Sequence, residues 1–232
     1  MQTRFILKNI SKHYPTRNST VKKALDNLDL VIYDKTINAL MGKSGCGKST
    51  LTRIISRLEP PDSGHITYKG KDIETTPLKQ FRKENQVMFQ NPQLSVNPTF
   101  KIEKILKEPL IINRGDLNKH EIEEKMMRLL DLLEISPGLL HRCPSELSGG
   151  ELQRIVLGRA LILEPEFLIL DEPFSALDEI MATRLIRSFK KIFHRLGIGV
   201  LYISHDRKRV SFLADRLAVM ENGQIREVIE NL

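Results

Sequence analysis

The chain has 232 residues, 41% of them hydrophobic and 28% charged, with a net charge of +7. That composition suits a folded chain with a sizeable core and excludes the disordered and fibrous classes. No apolar run approaches the roughly 20 residues that span a bilayer. The opening "MQTRFILKNISKHY" lacks the apolar stretch of a secretory leader, so a cytosolic location is expected. Cys46 and Cys143 show neither metal-ligand spacing nor a disulfide framework, and they fit a reducing compartment. The basic residues are scattered and no aromatics interleave them for base stacking. The positive charge therefore reads as solvated surface plus phosphate chemistry, and no nucleic-acid partner is expected.

In chain order, "RFILKNI" and "LDNLDLVIY" read as strands. "INALMGKSGCGKSTLTRIIS" reads as an apolar strand, a glycine-rich turn and a helix. "PPDSGHITYKGKDI" has the punctuation of a hairpin, and "NQVMFQNPQLSVNPT" runs from a strand into a proline-interrupted loop. Across residues 101–134, Ile122, Met126, Leu129, Leu130 and Leu133 fall at helical spacing, and Pro137 with Gly138 is expected to end that helix. A helix in "GGELQRIVLGRALIL" leads to the strand "EFLILDEP". A further helix over 179–196 ends at Gly197, and "GVLYISHD" is the next strand. "LAVMENGQIREV" closes as a hairpin with Asn-Gly at its turn. The alternation predicts an α/β fold built on a mainly parallel sheet, with the helical middle inserted as a subdomain.

Residues 42–49, "GKSGCGKS", match G-x-x-x-x-G-K-[ST] between an apolar strand and a helix. Glycines there let backbone N–H groups turn toward phosphate oxygens at the positive end of the helix. The nucleotide cradle is expected from Gly42, Lys43, Ser44, Gly45, Cys46, Gly47, Lys48, Ser49 and Thr50. Lys48 would bridge the terminal phosphates, and Ser49 would give its hydroxyl to Mg²⁺. "LILDE", residues 168–172, ends a buried strand in two carboxylates. Asp171 would hold the metal and Glu172 would polarise the attacking water as general base. In "LSGGELQR", residues 147–154, Ser148, Gly149, Gly150 and Glu151 open a second helix as another anion-binding nest. One ATP does not need two nests in one chain, so this one is read as serving ATP held by another subunit.

Together these motifs resemble the P-loop NTPases of the ATP-binding cassette (ABC) family, whose signature is LSGGQ; Glu151 stands where glutamine is most usual. The resemblance covers the whole chain. It implies an ABC ATPase fold, with a RecA-like core and antiparallel β-subdomain over residues 1–90 and 160–232, and a helical subdomain over 91–159. It also implies roles for four more residues. Gln90 in "MFQNPQ" would contact Mg²⁺ and the water and couple the site to a membrane partner. Asp178 in "SALD" would meet the second subunit, His205 in "ISHD" would bond the γ-phosphate, and Tyr14 in "KHYP" would stack on adenine. ATP and Mg²⁺ are the implied cofactors. The implied partners are ABC membrane subunits, a second ATP-binding subunit in a homo- or heterodimer, and an extracytoplasmic solute-binding protein reached through the complex. The implied place is the cytoplasmic face of the membrane.

Within the family, "GKSGCGKSTL", "FQNPQLSVNPT", "LKEPL" and "CPSELSGGELQRIVLGRAL" resemble importers of oligopeptides, dipeptides and nickel. The same catalytic motifs also occur in exporter and lipoprotein-release ATPases and in DNA-associated ABC ATPases. The compact middle segment without sustained heptads argues against the last. Members of the importer branch commonly extend beyond the cassette, whereas this chain stops at Leu232. The glycine usual before the P-loop strand is replaced by Asp34 and Lys35, and Cys143 stands where an aromatic is common before the signature.

Overall fold

The computed structural model describes residues 2–15, 21–113 and 117–230. In chain order its first elements are β1 (Thr3–Pro15), β2 (Val21–Tyr33), β3 (Ile37–Met41), α1 (Lys48–Ile55), β4 (Ser63–Tyr68), β5 (Lys71–Asp72), α2 (Leu78–Glu84) and β6 (Asn85–Met88). Then come α3 (Ile102–Asn113), α4 (Lys119–Leu132), α5 (Gly149–Leu161), β7 (Phe167–Asp171), α6 (Glu179–Leu196), β8 (Gly199–Ser204), α7 (Arg207–Leu213), β9 (Arg216–Glu221) and β10 (Gln224–Glu230). They divide into two compact units, residues 1–82 with 197–232, and residues 83–196.

The first unit holds an antiparallel sheet in the order β2-β1-β4-β5. Strand β2 shows why: Leu28, Leu30 and Ile32 are buried on one face while Asp29 and Val31 face out, the period-two pattern of a half-solvated strand. Phe5, Tyr68 and Phe81 close the core of this sheet, with ring centroids 5.1–6.3 Å apart in tilted and edge-on pairs. Phe81 comes from α2, a helix of only seven residues, too short to show a helical period in the sequence. The rest of the unit places β3 between β9 and β8, parallel to both, with β10 antiparallel on β9. All six residues of β8 are buried, as a strand covered on both faces requires. Asn222 and Gly223 join β9 to β10 at φ 48° and 79°, the two positive angles of a type I′ turn. Before β3, Lys35 rather than Asp34 takes the left-handed angle, at φ 53°, a conformation costing a lysine roughly 1 kcal/mol. Asp34 instead pairs with the buried Arg4 at 3.5 Å.

In the second unit β6 and β7 run parallel, Met88 level with Leu170. The helical stretch expected over 101–134 is two helices, α3 and α4; residues 114–116 between them lie outside the described residues. Asn118 and Glu121 form a reciprocal capping box that starts α4. Its end comes earlier than Pro137: Leu133 caps it and Glu134 turns left-handed at φ 53°. Pro137 opens the 3₁₀ turn Pro137–His141, because its fixed φ suits a first helical position. Helix α6 buries Ala182, Leu185, Ile186, Phe189, Ile192 and Phe193 at three- and four-residue spacing, and Phe189 meets Phe174 and Phe193 at 5.3 and 6.0 Å. Among the described residues no helix is long and apolar enough to cross a membrane.

Candidate functional site

In the first unit the parallel pair β3–β8 ends level, Met41 opposite Ser204. From that shared carboxyl end the chain leaves β3 into residues 42–47 and leaves β8 into His205. Ligands of open α/β sheets sit outside this end of the strands. Gly47 turns the loop into α1 at φ 114°, and a Cβ there would lie 2.3 Å from the Ala24 carbonyl oxygen, so no other residue fits. Helix α1 begins without a side-chain cap and without an acidic residue in its first turn, which leaves its N-terminal end open to an anion. Lys48 is 6% exposed, and its Nζ donates to the carbonyls of Gly42 (2.7 Å) and Lys43 (3.0 Å). The ammonium thus lies along the inside of the loop. Lys43, Ser44, Gly45 and Ser49 are exposed, Thr50 is buried, and a Cβ at Gly45 would meet nothing within 4 Å. Cys46 is buried: its N–H donates to the Lys43 carbonyl at 3.3 Å and its carbonyl accepts from Gly223 at 3.0 Å.

Tyr14, half-buried at the end of β1, is fixed by α1. Its hydroxyl donates to Glu59 Oε2 at 2.7 Å and accepts from Arg53 Nη2 at 3.2 Å, while Arg53 Nε also donates to Glu59 at 3.2 Å. Lys12 adds bonds of 2.8 Å to the Pro60 carbonyl and to Asp62 Oδ1. Sequence reasoning missed this anchoring cluster, because Lys12 and Tyr14 lie 39–50 positions from their partners and meet them only in the folded unit.

The hydrogen bond from Tyr14, then those from Arg53 and Lys12, hold the Glu59 carboxyl below the usual glutamate range, and the bond from Lys12 does the same for Asp62. Lys12 and Arg53 move the other way, raised chiefly by their bonds to Asp62 and to Tyr14. A carboxylate depressed on folding contributes stability that is complete above its unfolded value, near ~4.3 for glutamate, and is lost as pH falls through the lower folded value. Unfolding in urea therefore shows stability falling across that acid window, and Glu59→Gln flattens the fall. An unchanged slope in the variant would contradict this.

His205 is exposed beyond β8; the next residue, Asp206, caps α7 by accepting from the N–H groups of Lys208 (2.9 Å) and Arg209 (3.2 Å). In the second unit, Gln90 and Asp171 leave the same carboxyl end of the β6–β7 pair. Gln90 is exposed and Asp171 is 7% exposed. Glu172 sits at φ 47°, a strained angle for a non-glycine residue, and its carbonyl accepts from Ser175.

Ser148 caps α5. Its N–H and hydroxyl donate to Glu151 Oε2 at 2.8 and 2.7 Å, and its oxygen accepts from the Glu151 N–H at 3.3 Å. Those two bonds hold the Glu151 carboxyl below the usual range. Gly149 and Gly150 bring the start of α5 against the next segment: a Cβ on them would lie 3.1 Å from Leu177 and 2.9 Å from Met181. Asp178 is exposed and caps α6 through Met181 N–H at 2.9 Å. Each unit thus gathers one set of the expected residues: Tyr14, the 42–50 loop and His205 in the first, Gln90, Asp171, Glu172, Asp178 and the 148–151 nest in the second.

A strand, glycine-rich loop and helix beside a parallel sheet, with an antiparallel sheet and a helical segment, define the P-loop NTPase class in its ABC ATPase form. The chain belongs to the ABC transporter family, whose profile matches residues 25–175. It is 38% identical over 225 residues to the oligopeptide transport ATP-binding protein OppF of Streptococcus mutans, covering 96% of this chain and 73% of that one. It is 37% identical over 226 residues to the nickel import ATP-binding protein NikE of Escherichia coli O157:H7, covering 94% and 84%. Among solved structures it resembles the ATP-binding cassette MJ0796 in a dimeric post-hydrolysis state bound to ADP and Pi. That match has 26% identity, a TM-score of 0.83 and coverage of 97% and 98%.

Proposed function

We propose that the chain is the ATP-hydrolysing subunit of an importer, working at the cytoplasmic face of the membrane with ABC membrane subunits and taking up oligopeptides or nickel complexes. The observation that carries this is identity at 37–38% along nearly the whole chain to both a peptide and a nickel import ATP-binding protein. The loop "FQNPQLSVNPT" adds to it. An extracytoplasmic binding protein supplies the solute, and a second cassette, a copy or a relative, completes the ATP site.

ATP fits the first unit: a buried lysine lies inside a loop whose glycine face is open, at an uncapped helix start. Mg²⁺ fits the donor chemistry of the Ser49 hydroxyl, the Asp171 carboxylate and the Gln90 amide, all oxygen ligands suited to a hard cation. When bound it offsets charge on the phosphates. The 42–50 loop and Lys48 hold and orient the triphosphate, and the ring of Tyr14, fixed by Glu59 and Arg53, stacks on adenine. Glu172 takes the proton of the attacking water, and His205 bonds the γ-phosphate. The Ser148–Glu151 nest of the opposing subunit covers the same phosphate, and Asp178 lies at that junction. Transition-state charge is met by Lys48 and by the nest. The helical subdomain, residues 91–159, carries the nest and transmits closure to the membrane subunits through Gln90.

Purification from native membranes through a tag on this chain tests the reading. It predicts recovery of membrane-spanning subunits and of ATPase activity stimulated by the loaded binding protein. A salt-sensitive, ATP-linked DNA affinity with no membrane subunit would overturn it in favour of a DNA-associated ATPase.

A further inference from the structure

Helix α6 bears a second feature that the ATP site does not use. Between Ile180 and Leu196 it contains no acidic residue, and Arg184, Arg187, Lys191 and Arg195 stand exposed at spacings of three and four along one face. Like charges so spaced on a helix repel each other, and a stripe without acids is destabilising unless something else neutralises it. Arg184, Lys191 and Arg195 have no ion-pair or hydrogen-bond partner among the described residues. The stripe lines a groove of about 470 Å³ together with Leu132, Glu134, Arg154, Ser188 and Ile192. The one carboxylate there, Glu134, is engaged by Arg154 at 3.3 Å, and Arg154 also donates to the Leu133 carbonyl.

We infer that this groove is a binding site for a small, multiply charged phosphate anion. Its volume is that of a small-molecule site, and its walls present planar guanidinium groups that match phosphate oxygens in pairs. A single-stranded nucleic acid held by its bases would need stacking platforms, and no aromatic side chain lines the groove. Insertion into a bilayer would need protruding apolar groups in the lining, whereas Ile192 is buried. A compact polyanion needs neither. The scattered basic residues of the sequence become a single charged wall only when the helix winds them onto one face.

The probe is tripolyphosphate, titrated into the full chain carrying Lys48→Ala, so that binding at the P-loop does not contribute. The expected result is saturable binding of one tripolyphosphate per chain, weakened about tenfold or more by Arg184→Gln with Lys191→Gln and Arg195→Gln, and weakened further by salt. Three exposed lysines elsewhere, replaced as Lys22→Gln, Lys71→Gln and Lys79→Gln, remove the same net charge and leave the affinity within about twofold. No saturable binding, or equal loss in both triple variants, would overturn the inference. So would displacement of tripolyphosphate by single-stranded DNA or phosphatidylglycerol vesicles at lower phosphate concentration, which would give the groove to a macromolecular surface. The side chains replaced in the two triple variants are all exposed, and matching thermal unfolding curves, with the Lys48→Ala parent as reference, establish that each variant is folded.

Discussion

Glu172→Gln lowers ATP turnover by about 10²–10⁴-fold while leaving ATP affinity close to that of the native chain. The side chain lies one position past a fully buried strand, on a residue held at φ 47°, so the amide keeps the shape and hydrogen-bonding reach of the acid and loses only its basicity. Strain of roughly 1–3 kcal/mol at that residue is maintained by the packing of β7 and by the Ser175 bonds to its carbonyl. Because the proton of the attacking water then has no acceptor, ATP persists uncleaved and the closed assembly accumulates. Phosphate release under single-turnover conditions checks this. Hydrolysis at the native rate would remove Glu172 from the role of base.

Ser148→Arg produces a different split. Turnover falls by about 10²–10³-fold, as on loss of a transition-state donor, while ATP binding to the same chain's P-loop changes little. In the proposed function the Ser148–Glu151 nest serves ATP held by the opposing subunit, and the split follows from that. Loss of the helix cap costs about 1 kcal/mol, too little to unfold the unit, and Ser148→Thr, which keeps the capping oxygen, restores turnover. Equilibrium binding of a fluorescent ATP analogue beside steady-state hydrolysis separates the two effects. A parallel loss of affinity in the isolated chain would place the nest beside its own P-loop and contradict the composite site.

Much of this was legible in the residues because the signals were local. The 42–49 loop, the buried "LILD" strand, the Asn-Gly turn and the bounds of α6 at Glu179 and Leu196 each follow from a few adjacent side chains. Short helices were not legible: α2 and α7 have seven residues each, below the two turns that make a periodic pattern stand out. The end of α4 was set by a left-handed Glu134 rather than by Pro137, since a non-glycine residue in that conformation leaves no mark in composition. The clamp on Tyr14 was hidden for another reason. Arg53, Glu59 and Asp62 meet Lys12 and Tyr14 only in the folded unit, which no window of sequence contains. The charged face of α6 is present in the sequence only as spacing, since no run of basic residues marks it.

The proposed function requires ATP to be closed between two cassettes and cleaved there. The most direct measurement is the mass, by light scattering, of Glu172→Gln assemblies in ATP and in ADP, with the bound nucleotide quantified. The expected result is a two-cassette assembly, of two copies or of this chain with its related partner, that retains ATP and comes apart in ADP. Adding Ser148→Arg to Glu172→Gln abolishes it. A species that binds ATP as a single cassette in the presence of its partner, with the same mass in either nucleotide, would contradict the claim.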